Sequence, residues 1–150
     1  MGLDMYLYGK TYVKNYNFTK EEKKYDINIT QNGNIVYDIK KERIIYIIEE
    51  LGYWRKANQI HNFFVENCQE GIDNCKESYV SKENIKDLLN RCNKILENPK
   101  LGKELLFTVQ GFFFGNDVYD QYYLEDIKYT KELMEECLLS SKEIYYQSSW

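Results

Sequence analysis

The spacing of apolar residues changes once along this chain, near Trp54, and that change sets its fold class. Beyond it, Ala57, Ile60, His61, Phe64, Val65 and Cys68 recur at helical spacing and mark one buried face. Ahead of it no such period runs. Leu3 to Val13 alternates and carries Tyr and Val, which predicts a strand. Lys14 to Lys24 is polar and reads as a surface loop. Tyr25 to Thr30 and Ile35 to Ile39 read as short strands joined by Gln31-Asn32-Gly33-Asn34, a hairpin turn in which Asn and Gly tolerate positive φ. The β-branched run from Arg43 to Gly52 favours a third strand, with Gly52 as an alternative cap for a short helix.

The second half reads as helices. Gln69 to Asn74 is a polar loop. Ser81 is an N-cap signal for a helix with the stripe Ile85, Leu88, Leu89, Cys92, Ile95 and Leu96, and Asn98-Pro99 stops it. Leu105 to Phe114 is apolar and broken by glycine, a strand or a buried loop. Asn116 or Asp117 then caps a long helix whose inner side runs from Tyr119, Tyr122 and Tyr123 through Ile127, Leu133 and Met134 to Cys137 and Leu138. Glu143 to Trp150 reads as a final strand. The expectation is one α+β domain over residues 1–150, an antiparallel sheet from N-terminal strands and a C-terminal strand packed against about three helices.

Composition removes several function classes. No apolar run approaches the roughly 18 residues that span a bilayer, so no membrane partner is expected. The start MGLDMYLYGK lacks the basic and long apolar regions of a signal peptide, and Gly2 lacks the downstream Ser or Thr of a myristoylation signal. These features predict a cytoplasmic protein. Net charge is −4 and the lysines are interleaved with Glu and Asp, so general nucleic-acid binding is not expected. A small anionic ligand needs only two or three basic groups. Of the 20 basic residues only Arg43, Arg55 and Arg91 are arginine, which marks Arg55 as a planar fork for carboxylate or phosphate. Cys68, Cys75, Cys92 and Cys137 form no C-x-x-C pair and His61 is the single histidine, so neither a metal nor another cofactor is expected.

Three segments carry the binding chemistry. Tyr53-Trp54-Arg55-Lys56-Ala57-Asn58 reads as a helix N-terminus, where Arg55, Lys56 and free backbone N–H groups would form an anion site. Trp54, Asn58 and His61 would line one edge of that helix as an aromatic plate, an amide and an imidazole, the group types that hold a nucleobase or sugar. Gly111-Phe112-Phe113-Phe114-Gly115 suggests close backbone approach, with Phe112 and Phe114 on one side as a pocket wall and Tyr119 and Tyr123 nearby. Gln147, Ser148 and Trp150 supply polar and aromatic groups at the C-terminus. The competing reading of Trp54 and His61 is core. His61 could serve as a general base oriented by Asp4, Glu49 or Glu50. No nucleophile elbow, Walker loop or zincin motif accompanies it, so no catalytic residue is assigned and binding is favoured over catalysis.

Met1 to Leu7, Tyr53 to His61, Gly111 to Gly115 and Tyr145 to Trp150 together resemble a group of small phage and prophage proteins that open in MGLDMYL, carry YWRKAN-x-IH and GFFFG, and end in YY-x-SSW. The resemblance supplies a context and no activity. It implies a protein of the host bacterial cytosol, and among phage proteins it suggests a sponge for a nucleotide-type immune signal. Such a sponge would sequester a small anionic or nucleotide-like ligand without chemistry. An interaction protein that blocks a host protein through an aromatic surface is the alternative, and a weak hydrolase using His61 the third reading. A homo-oligomer is compatible with all of them.

Overall fold

A computed structural model describes residues 2–111 and 114–150. Phe112 and Phe113 lie outside the described residues, and with them the expectation that Phe112 lines a pocket. The chain forms the expected α+β architecture, a four-stranded antiparallel sheet with helices packed on one face. The sheet contains β1 (Asp4–Tyr12), β4 (Tyr46–Arg55), β5 (Ser78–Val80) and β6 (Glu143–Ser149), in the order β4-β1-β6-β5. The N-terminal and C-terminal strands are therefore neighbours at its centre, paired from Asp4↔Ser149 to Lys10↔Glu143.

Alternation in β1 and β6 explains the single covered face. Met5 and Leu7 of β1 and Ile144, Tyr146 and Ser148 of β6 are buried, while the residues between them point the other way. Three helices cover the buried side: α1 (Asn58–Cys68), α2 (Lys82–Glu97) and α4 (Gln121–Leu139), with a single-turn α3 (Gly102–Leu105) between the last two. Ser81 caps α2 as the sequence suggests, its Oγ accepting the Asn84 N–H at 3.1 Å. The predicted stripe is buried at Ile85, Leu88, Cys92 and Ile95.

Several boundaries differ. Of the two predicted early strands only β2 (Thr30–Gln31) and β3 (Asn34–Ile35) pair, and this excursion stays exposed over most of its length, with Tyr25, Ile35, Tyr37 and Ile39 packed into no core. The third strand runs not from Arg43 to Gly52 but from Tyr46 to Arg55, so Gly52 lies inside a strand and Trp54 is a strand residue. A Cβ on Gly52 would sit 2.2 Å from Leu133 Cδ2, and this close approach lets α4 pack on β4. The turn into α1 is made by Lys56, in the left-handed region at φ 60°. Leu105 to Phe114 is no strand among its described residues. The long helix is capped by Asp120, whose Oδ1 accepts the Tyr123 N–H at 3.1 Å, so Tyr119 precedes the helix. Strand β5 escaped notice because three residues carry too little pattern.

Replacing Gly52 by alanine is expected to cost about 2 kcal/mol through overpacking against Leu133. Urea unfolding should show a lowered midpoint with an unchanged slope, and an unchanged midpoint would contradict this packing.

Candidate functional site

Helix α1 is buried nearly all round, from Asn58 to Val65, with Asn62 as the half-buried exception. Its polar side chains must therefore find partners inside the protein. Asn58 fastens the loop after α3: its Nδ2 donates to the carbonyls of Phe114 (3.0 Å) and Asn116 (2.9 Å), and its Oδ1 accepts the Val109 N–H (2.7 Å). Tyr119 and Tyr123 hold the same loop. The Tyr119 hydroxyl accepts the Thr108 N–H at 3.0 Å, and Tyr123 donates to the Leu106 carbonyl at 2.6 Å. Burial raises the Tyr123 phenol pKa, which keeps it a donor.

His61 stands at the centre of a second network. Its Nδ1 lies 2.7 Å from the Tyr146 hydroxyl and its Nε2 lies 2.9 Å from Asp73 Oδ2. Asp73 also accepts from Trp150 Nε1 at 3.1 Å. With Asp73 ionised, Nε2 carries the ring proton, and Nδ1 accepts from the Tyr146 O–H. Burial first, then the Asp73 charge, pushes the Tyr146 phenol well above its ordinary range, so it stays protonated. Phe114 meets His61 edge-on at 5.1 Å, Trp150 meets Phe114 edge-on at 6.2 Å, and Phe64 stacks on Tyr146 at 4.1 Å.

The structure thus brings His61, Phe114, Ser148 and Trp150 into one neighbourhood, as a packed cluster. His61 is 2% exposed and Tyr146 is fully buried, so neither the imidazole nor the phenol reaches a reacting atom from solvent. The carboxylate facing His61 is Asp73, not Asp4, Glu49 or Glu50, because the loop after α1 folds back over the helix. Ser148 is buried and its Oγ has no hydrogen-bond partner among the described residues. Gln147 instead donates to the Cys75 carbonyl at 3.3 Å.

Trp54 is remote from solvent. It is 2% exposed, donates its indole N–H to Thr130 Oγ1 at 2.9 Å and meets Tyr129 edge-on at 5.8 Å. The expected helix N-terminal anion site is replaced by a strand end and a turn. Arg55 sits 4.0 Å from Asp4, and the α1 amides begin at Asn58. Arg55 and Lys56 do border an open cleft of about 290 Å³ between the start of α1 and the start of α4. Its other wall carries Asp120, Glu125 and Asp126, and burial raises the Asp126 carboxyl to about 6. An anion entering there meets carboxylates as well as cations.

The uncovered face of the sheet holds a feature that the sequence reading missed. Tyr6, Tyr8 and Tyr12 of β1, Tyr46 and Tyr53 of β4, Tyr145 of β6 and Tyr79 of β5 share it through direct cross-strand pairing. Tyr6 and Tyr8 stack at 6.0 Å, Tyr6 and Tyr53 pack at 5.4 Å, and Tyr79 meets Tyr145 at 5.7 Å. Lys10 lies 4.0 Å over the Tyr145 ring and pairs with Glu77. The available signal was the period-two run Asp4-Tyr6-Tyr8-Lys10 set against Leu3-Met5-Leu7-Gly9. Comparisons with protein-family models, curated proteins and solved structures give no match. Among the described residues no group of three His, Cys, Asp or Glu side chains could hold a metal ion, and no helix is long and apolar enough to cross a membrane.

Tyr146→Phe removes one hydrogen bond and keeps the Phe64 stack, so a loss of about 1 kcal/mol is expected. His61→Ala strands both Tyr146 and Asp73 and opens a cavity, for about 3 kcal/mol. Equal losses in chemical denaturation would contradict the central position of the imidazole.

Proposed function

We propose that this protein acts by binding a macromolecular partner, without chemistry, and that the tyrosine-lined sheet face is its recognition surface. The observation that supports this most is the alignment of Tyr6, Tyr8, Tyr53, Tyr79 and Tyr145 on a face that no helix covers. Tyrosine offers large, stiff contact area with a polar tip, the combination favoured in protein–protein hot spots. Tyr53 and Tyr79 are 41% and 56% exposed, so much of that area is free to be buried. The face is not a phosphate track. Its charges pair locally, Arg55 near Asp4 and Lys10 with Glu77. If the resemblance to phage proteins holds, the partner is a bacterial host protein, which fits an inhibitor of host defence.

A second reading rests on the cleft beside Arg55 and Lys56, whose volume of about 290 Å³ suits a small ligand. A sequestered nucleotide-type signal would place its phosphates on that lip. The carboxylates opposite weaken this reading relative to the first.

One experiment weighs both. Host-lysate capture with the wild-type chain should recover one stoichiometric protein, and Tyr6→Ser/Tyr145→Ser should lose it more than tenfold while Arg55→Ala/Lys56→Ala retains it. Stabilisation by cyclic dinucleotides in a thermal-shift assay, abolished by Arg55→Ala/Lys56→Ala, would instead support the cleft. Capture untouched by the tyrosine substitutions would overturn the first reading.

A further inference from the structure

We infer that the cleft between the start of α1 and the start of α4 binds a small zwitterion, its ammonium held by Gln59 and Asp126 and its carboxylate or phosphate by Arg55 and Lys56. The cleft measures about 290 Å³. That is the lower end of the roughly 300–1,000 Å³ found for ligand pockets, and it suits a metabolite of amino-acid size. The inference rests neither on the tyrosine face nor on a nucleotide ligand.

The inner wall carries an acceptor pair with nothing to accept. Gln59 lines the cleft and is only 3% exposed. Its Nε2 donates to Asp126 Oδ2 at 3.3 Å, which turns its Oε1 away from the carboxylate, and that oxygen has no hydrogen-bond partner among the described residues. A bare amide oxygen on a buried side chain is costly unless it meets solvent or a donor. The fully enclosed side-chain atoms left without a partner are Gln69 Oε1 and Ser148 Oγ. Gln59 Oε1 is not one of them, so it opens onto the cleft. Asp126 beside it forms no ion pair among the described residues. An amide oxygen and a carboxylate side by side, half out of water, present the complement of an N–H-rich cation.

The lip has the opposite need. Arg55 Nε lies 4.0 Å from Asp4, beyond hydrogen-bond reach, and Asp4 already accepts from the Tyr53 hydroxyl. Lys56 forms no ion pair among the described residues. Its stem is fixed between Gly115 and Gly2, where an added Cβ would come within 3.0 Å of it. Two cations thus face Asp120, Glu125 and Asp126 across one opening without pairing to them. A simple anion meets those carboxylates, and a simple cation leaves the lip unmatched. A ligand with both charges satisfies both walls.

The charged groups around Asp126 are Asp120 and Glu125 on its own helix and Arg55 and Lys56 across the cleft. Burial raises its carboxyl to about 6 against the lowering hydrogen bond from Gln59, and Glu125 and Asp120 add to the rise. An ammonium favours the ionised form, so affinity for an amino acid should fall about tenfold from pH 7 to pH 5.

Calorimetry on the full chain with each free amino acid and with phosphoethanolamine tests the assignment and identifies the anionic end. At least one compound should bind at millimolar concentration or below, and its N-acetylated form should bind more than tenfold more weakly. Asp126→Asn should weaken binding to the same extent and remove the pH step. Arg55→Ala/Lys56→Ala should weaken it comparably. Both lip side chains are exposed, so this variant keeps the native circular dichroism and reads binding even if Asp126→Asn fails to fold. Absence of binding by every compound would overturn the proposal. So would equal binding of the N-acetylated form, or binding that survives the lip substitutions.

Discussion

A helix buried on nearly every side cannot carry Asn, Gln and His without internal partners, and α1 carries all three in its first turns. That requirement organises the rest of the molecule. His61 ties the loop after α1 to the last strand through Asp73 and Tyr146, and Asp73 holds the terminal Trp150. Asn58 ties down the loop before α4. Gln59 donates to Asp126 on α4 at 3.3 Å. Segments far apart in sequence are thereby held to one helix by directional bonds, while the apolar cluster supplies bulk stabilisation.

The same economy separates two populations of aromatic side chains. Trp54, Phe64, Tyr123 and Tyr146 are buried, with their polar atoms satisfied by Thr130, Leu106 and His61. The tyrosines of the open sheet face pack on one another and keep their hydroxyl ends within reach of solvent. An Asp–His–Tyr order invites a catalytic interpretation, but the imidazole and the phenol are both buried and present no atom to solvent. Recognition belongs to the population outside, as proposed above.

The α+β class was legible because the change from strand-like to helical spacing is abrupt, and Ser81 and the α2 stripe were legible because a cap and a single apolar face are local signals. Trp54 was misplaced because Gly52 looks like a terminator, whereas its real purpose is to admit Leu133 of α4, a contact between distant parts of the chain. His61, Phe114 and Trp150 come from three segments that the sequence treats separately, and only the fold brings their rings together. Asp73 was invisible because one acid in a polar loop resembles any other until the fold brings it to the imidazole. The tyrosine face needed the register of four strands, which no single segment contains.

The central claim is that His61 is a fixed structural bridge. Nitrogen-15 NMR of the imidazole tests it most directly, since the geometry defines one tautomer: Nε2 protonated toward Asp73 and Nδ1 accepting from Tyr146. The expected result is a single ring form whose Nε2–H exchanges slowly with solvent and couples across the hydrogen bond to its neighbour. A ring that averages between tautomers with a fast-exchanging proton would contradict the account.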